Sequence, residues 1–141
     1  MDLHQLMRMP AYHRWLGVEL VRAGDGEVEV RLPYREEFLG DDAGTNIHGG
    51  IIAALADIAA CFAVISAVGR DVPTLDIRLD YLRLAPPGQA LIATASTVKA
   101  GRTIGLADVE IRTDSGRVVA VARATFVTGS PGRETLTEGT P

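Results

Sequence analysis

The sequence predicts an α+β domain in which one curved antiparallel sheet, of five to six strands, wraps a single long apolar helix. Three observations predict it. First, Ile51 to Val68 is a run of 18 residues whose one charge is Asp57 and whose one other polar side chain is Ser66. A helix of that composition is apolar on every face, so protein must enclose it. Second, two alternating segments precede it, separated by a glycine-containing turn. Third, a series of β segments follows, and short turns between the last of them make those neighbours antiparallel. At 141 residues the chain suits one hydrophobic core.

Composition narrows the function classes. Hydrophobic residues make up 47% and charged residues 23%, a balance that supports a packed core. The net charge is -4 with both signs mixed along the chain, so there is no basic face for nucleic acid or anionic lipid. A small anionic ligand can still be held by a few placed arginines. The lone Cys61 forms no internal disulfide, is expected to fill core, and suits a reducing, cytoplasmic location. The start MDLHQLMRMP has no apolar core of a signal peptide. The apolar helix approaches membrane-span length. Seven of its 18 residues are Ala, Asp57 sits in the middle, and no cationic flank anchors it, so a buried helix is expected and a membrane span is not.

Residues 1–16 read as a helical cap segment of one or two short helices broken at Pro10. Leu3, Leu6 and Met7 have helical spacing, and Trp15 and Leu16 add a second apolar patch. This segment is expected to cover part of the core or a pocket mouth, with His4 and His13 at the surface. Residues 17–128 read as the domain proper. Val18–Arg22 and Glu27–Tyr34 form a hairpin over Ala23-Gly24-Asp25-Gly26. Val28, Val30 and Leu32 fall on one face of its second strand, and Glu27, Glu29 and Arg31 on the other. A polar loop, 35–47, delivers the chain to the helix, and Gly69 is placed to cap its end. In Thr74–Leu84 the alternation puts Leu75, Ile77, Leu79 and Tyr81 on one face, with Thr74, Asp76, Arg78 and Asp80 opposite. The phase slips at Tyr81-Leu82, which predicts a bulge there. After the turn Pro86-Pro87-Gly88 come three more β segments: Gln89–Lys99, Thr103–Thr113 and Arg117–Val127. Residues 129–141 have little to bury and read as a mobile tail.

The helix start carries the chemistry. A helix N-terminus presents unpaired N–H groups and a partial positive charge. His48-Gly49-Gly50 puts two residues without side chains there, so a ligand oxygen can approach the amides. That suits an oxygen gaining negative charge during acyl transfer. Asp57 follows Gly49 by eight residues, about 12 Å along a regular helix and ~80° around it. That is long for one carbonyl and its attacker. A bent tip, glycines ahead of regular helix, or a water held by Asp57 would each bridge it. Plainer alternatives stand beside this reading: a tight turn for the glycines, a loop cap for His48, and a structural ion pair with Arg78 for Asp57.

The combination HGGxxxxLAD, followed by TLDIRLDYLRLA after a short loop, resembles the hotdog-fold acyl-CoA thioesterases. Within them it is most similar to the phenylacetate-pathway (PaaI-like) group, over about Gly17 to Val127. The resemblance implies a hotdog fold and hydrolysis of an acyl-CoA to a free acid and coenzyme A, with no cofactor and no metal. It implies that Asp57 is the catalytic carboxylate, as nucleophile or as general base on water. It implies that the Gly49 N–H, with Gly50 as a further contact, polarises the thioester carbonyl and that His48 supports the site. Thr74 matches a hydroxyl residue that reaches the site from the partner subunit. Arg83 and Arg102, with Thr103 beside the latter, match positions that contact coenzyme A, whose phosphates suit a guanidinium. Asp42 stands where the family usually has Asn or Gln to orient the attacking water. An ionised Asp42 near Asp57 would repel it, so Asp42 points away, Asn46 supplies the amide, or the pair shares a proton. Leu84 replaces a frequent Pro. The family's sites form between subunits, so a homo-oligomer is expected, a dimer at minimum and a homotetramer by resemblance. The competing non-enzyme reading is a protein that binds or senses acyl-CoA without turning it over.

Overall fold

The computed structural model describes residues 1–129. The tail expected at 129–141 lies, Gly129 apart, outside the described residues. The architecture is the expected α+β hotdog arrangement: a six-stranded antiparallel sheet curved around one long helix. Helix α3, Gly49–Val68, is that central element. It is long and apolar enough to cross a membrane by composition alone, but here it is the core helix, packed against all six strands. Ile52, Leu55, Ala56, Ile58, Ala59, Ala60 and Phe62 through Ile65 are buried against the sheet.

Two short helices precede the sheet: α1, Leu3–Arg8, and α2, Ala11–Leu16. Asp2 caps α1 by accepting from the His4 and Gln5 amides at 3.0 and 3.2 Å. Met7 and Leu16 are buried, so the segment does cover core. His13 differs from expectation. It is half-buried, with Nδ1 2.9 Å from the Met7 carbonyl and its ring 6.1 Å from that of Phe62.

Strands β1, Glu19–Gly24, and β2, Glu27–Leu32, form the predicted hairpin. Its turn is tighter than expected, the two residues Asp25-Gly26, both with positive φ (53° and 85°). A two-residue turn of that hand matches the twist of the strands it joins. Val28, Val30 and Leu32 face the core as the alternation predicts. The Gly26 amide donates to Ser66 Oγ at 2.9 Å, which ties the hairpin to the far end of α3.

The remaining strands are β3, Thr74–Tyr81; β4, Leu91–Ala100; β5, Ile104–Thr113; and β6, Val118–Val127. Their spatial order is β1-β2-β4-β5-β6-β3: β4, β5 and β6 are antiparallel neighbours as the short turns predict, while β3 lies beyond β6. β3 pairs with β6 at one edge, and the Leu82–Ala90 connection carries the chain back to β4 beside β2.

The irregularity in β3 also sits elsewhere than expected. Thr74 pairs with Phe126 and Asp76 with Thr125, so Leu75 is the extra residue of a bulge. The strand simply ends at Tyr81. Ile77 and Leu79 still face inward, opposite Ala124 and Ala122. Beyond the bulge the phase is inverted: Thr74 faces α3, and Leu75 is 57% exposed. Strict alternation had assigned these two side chains the other way round.

Candidate active site

The loop before α3 and the end of β3 meet at the helix tip. His48 has extended ψ (133°) and ends the loop, and α3 starts at the next residue. Its ring turns back, and Nδ1 accepts from the Gly50 N–H at 2.8 Å. The ring proton therefore sits on Nε2. A Cβ on Gly50 would lie 2.9 Å from Nδ1, so only glycine leaves the ring this position. The cap consumes the Gly50 amide. This corrects the expectation that both glycines offer free N–H groups.

The Gly49 amide has no protein acceptor among the described residues. It is the free donor at the positive end of α3. Tyr81 closes over this tip, and its hydroxyl donates to the Gly49 carbonyl at 2.7 Å. A Cβ on Gly49 would come within 3.1 Å of Tyr81 Oη and 3.2 Å of Cζ. The sequence reading placed Tyr81 only on the strand face shared by Leu75, Ile77 and Leu79, at the predicted phase slip. Its parity in β3 was the available signal; its partner, 32 residues away, was not.

A cavity of about 580 Å³ opens on the tip. His48, Gly49, Tyr81 and Asn46 form its polar wall, and Ile47, Ile52, Leu82, Leu84 and Ala85 its apolar one. Arg83 is also at this cavity, exposed, with Nη1 donating to the Val118 carbonyl at 2.6 Å. Asn46 Nδ2 donates to the Ile47 carbonyl at 3.2 Å, and Oδ1 accepts from Thr45 Oγ1 at 3.1 Å. Asp42 is exposed, is absent from the cavity wall, and makes no side-chain hydrogen bond or ion pair among the described residues. Its neighbour Asp41 is the structural carboxylate of the loop. Hydrogen bonds from the Thr45 side chain and then its backbone hold Asp41 below the usual carboxylate range.

Asp57 lies two turns along α3, half-buried. Thr74 Oγ1 of the same chain donates to its Oδ1 at 2.8 Å. The bulge at Leu75 is what aims that hydroxyl inward. No ion pair with Arg78 forms; Arg78 lies 3.6 Å from Asp80 instead. Cys61, one turn further on, is half-buried and packs against the core, with its thiol pushed up to about 12 by burial and then by Asp57 and Asp71.

Gly49 and Asp57 both lie within regular helix, so about 12 Å of axis separates them. One protomer cannot place both on one carbonyl. Arg102 and Thr103 are farther still. They are exposed in the β4–β5 turn, near the other end of α3, where a Cβ on neighbouring Gly105 would lie 2.9 Å from Val64 Cγ1. The single chain does not bring them to the cavity. Among the described residues, no three His, Cys, Asp or Glu side chains converge as a metal site would require.

One face of α3 is uncovered. Gly50, Ala53, Ala54, Asp57 and Cys61 form a partly accessible stripe along it. Leu75, Tyr81 and Leu82, each more than half exposed, border the neighbouring edge strand.

The family model described as "Thioesterase superfamily" matches residues 44–120, from the loop before α3 into β6. The chain belongs to the thioesterase superfamily. It is a thioester hydrolase by that membership. A Halobacterium salinarum protein with a provisional esterase name is 39% identical, over 79% of this chain and 80% of its own. The medium/long-chain acyl-CoA thioesterase YigI of Escherichia coli is 29% identical, over 84% and 85%. The E. coli PaaI protein of the phenylacetic acid degradation operon superimposes with a TM-score of 0.83 at 25% identity, covering 93% of this chain and 92% of its own. A hypothetical thioesterase from Streptococcus pneumoniae, solved with coenzyme A, gives 0.73 at 33% identity, covering 82% and 88%. The resemblance to the PaaI-like group thus holds in fold as well as in motif.

Proposed function

We propose that this thioesterase hydrolyses acyl-CoA and that its site is completed across a homodimer. The carrying observation is the separation of two half-sites on one helix. The free Gly49 amide and the cavity stand at the tip; the Asp57–Thr74 pair stands about 12 Å along the axis. A two-fold pairing through the uncovered stripe of α3 and the edge of β3 brings the tip of one protomer to Asp57 of the partner subunit. The accessible Ala53 and Ala54 allow two helices to approach closely. Thr74 travels with Asp57, so both come from the same protomer. Pairing of two such dimers gives the tetramer expected from the resemblance.

In this site the thioester carbonyl oxygen accepts from the Gly49 N–H. Asp57 takes a proton from water as water adds to the carbonyl carbon, or its carboxylate adds directly. The tetrahedral oxyanion is held at the positive helix end. On the water route the C–S bond then breaks and the coenzyme A thiolate takes the proton that Asp57 received from water. On the direct route the C–S bond breaks to leave an acyl-aspartyl anhydride and the thiolate; water then hydrolyses the anhydride, returning the Asp57 carboxylate and the free acid and supplying the proton that the thiolate takes up. Thr74 orients the carboxylate. The acyl group occupies the apolar wall of Ile52, Leu82 and Leu84, and Arg83 meets the coenzyme A side. The relative named for medium and long acyl chains and the neighbour solved with coenzyme A support this substrate class. The lone Cys61 and the mixed surface charge suit the cytoplasm.

Thiol release from a panel of short, aromatic and long acyl-CoAs tests the reading. Turnover of at least one class is expected. Saturable binding with no thiol release from any of them would replace hydrolase with acyl-CoA sensor.

A further inference from the structure

We infer that Tyr81 and His48 clamp one peptide plane from its two ends, and that Tyr81 is thereby a positioning residue for the oxyanion donor. This rests on the acyl-CoA hydrolase reading. The plane is the peptide joining Gly49 to Gly50. Its carbonyl oxygen accepts from Tyr81 Oη at 2.7 Å, and its N–H donates to His48 Nδ1 at 2.8 Å. Both bonds come from outside the regular ladder of α3. They lie on opposite sides of the same rigid, planar unit.

The donor aimed at substrate, the Gly49 N–H, belongs to the preceding peptide. Two dihedral angles at Gly49 connect it to the clamped plane. Glycine is the residue least able to hold those angles by itself. The first turn of a helix also has no upstream carbonyl to fix its amides. A free amide on a glycine at a helix start would therefore sample several directions. The clamp removes that freedom on one side, and the His48 carbonyl, which accepts from the Ile51 amide at 3.0 Å, restrains the other. The Tyr81 ring lies against the Gly49 Cα, in the space a Cβ would need. Tyr81 thus accounts for glycine at position 49 as well as for the direction of its amide. No atom of Tyr81 need touch the reacting carbon for this effect.

The test variant is Tyr81→Phe, which keeps the ring over Gly49 and deletes only the hydroxyl. Loss of one positioning hydrogen bond should lower kcat by roughly 10-fold. The control ligand is an S-alkyl-coenzyme A thioether. It fills the cavity but has no carbonyl oxygen, so its Kd should stay within about twofold of wild type. A trifluoromethyl ketone analogue, whose hydrate mimics the oxyanion, should weaken by the same factor as kcat/KM falls. Unchanged kcat would overturn the inference. So would a thioether Kd that weakens in step with kcat, because Tyr81 would then be only a cavity wall. If the wild-type protein releases no thiol from any acyl-CoA, the hydrolase reading fails by itself. The clamp is then read from amide hydrogen exchange at Gly50, which Tyr81→Phe should accelerate; unchanged exchange would refute it.

Discussion

Asp57→Asn separates the proposed chemistry from the fold. Asn is isosteric, and its Oδ1 can keep the 2.8 Å hydrogen bond from Thr74. The substitution removes a charge from a half-buried position among Ala53, Ala54 and Cys61, so stability should hold or rise. What disappears is the proposed base or nucleophile, worth roughly 10²- to 10⁴-fold in rate, or about 3 to 5 kcal/mol of barrier. Thiol release should fall below a few per cent of wild type while the thioether analogue still binds. The geometry sharpens the experiment further. Coexpression of Asp57→Asn with Gly49→Val chains should yield mixed dimers with one intact site, made of Gly49 from one chain and Asp57 from the other. Random pairing makes half the dimers mixed, each with one of two sites, so about a quarter of wild-type activity should return. Activity no higher than either variant alone would show that each chain needs its own Gly49 and Asp57. Thiol release by Asp57→Asn above a few per cent would refute the role of the carboxylate altogether.

Two further variants follow from residues outside the proposed machinery. Asp42→Asn should keep or raise kcat, because Asp42 is exposed and outside the cavity wall; total loss of thiol release would show direct participation. Asp108 is held below the usual carboxylate range, first by the side-chain hydrogen bond from Arg123, at 2.7 Å. A lowered carboxylate contributes stability above its unfolded pKa, and that contribution is lost as pH falls through the folded value. The pair is about half exposed, so Asp108→Asn should cost less than about 1 kcal/mol at pH 7 and nothing in strong acid; chemical denaturation at the two pH values measures it.

Much of this architecture was legible in the sequence because its signals are local. The apolar run fixed α3, the alternation of Val28, Val30 and Leu32 fixed β2, and the HGGxxxxLAD pattern located the tip and the carboxylate. Three features were not legible, because each depends on three-dimensional placement that no local pattern encodes. The place of β3 beside β6 is decided by how the Leu82–Ala90 connection crosses the sheet. The spent amide of Gly50 depends on a ring that turns back on its own helix. Tyr81 shares a strand face with Ile77 and Leu79, and nothing in the local pattern marks Gly49, 32 residues away, as its partner. Arg102 shows the converse: a motif position that matches, yet sits at the opposite end of the helix within its own chain.

The single surplus residue in β3 has an effect out of proportion to its size. Ile77 and Leu79 keep even parity with the core, so an unbroken ladder would present Leu75 to the helix. An isobutyl group would then rest beside the anion, with no proton to offer it. The chain instead spends one backbone irregularity to swap grease for a donor at that one rung. Chemistry here is written in strand register as much as in residue identity, and a one-residue slip between Pro73 and Asp76 would erase it while every side chain remained present.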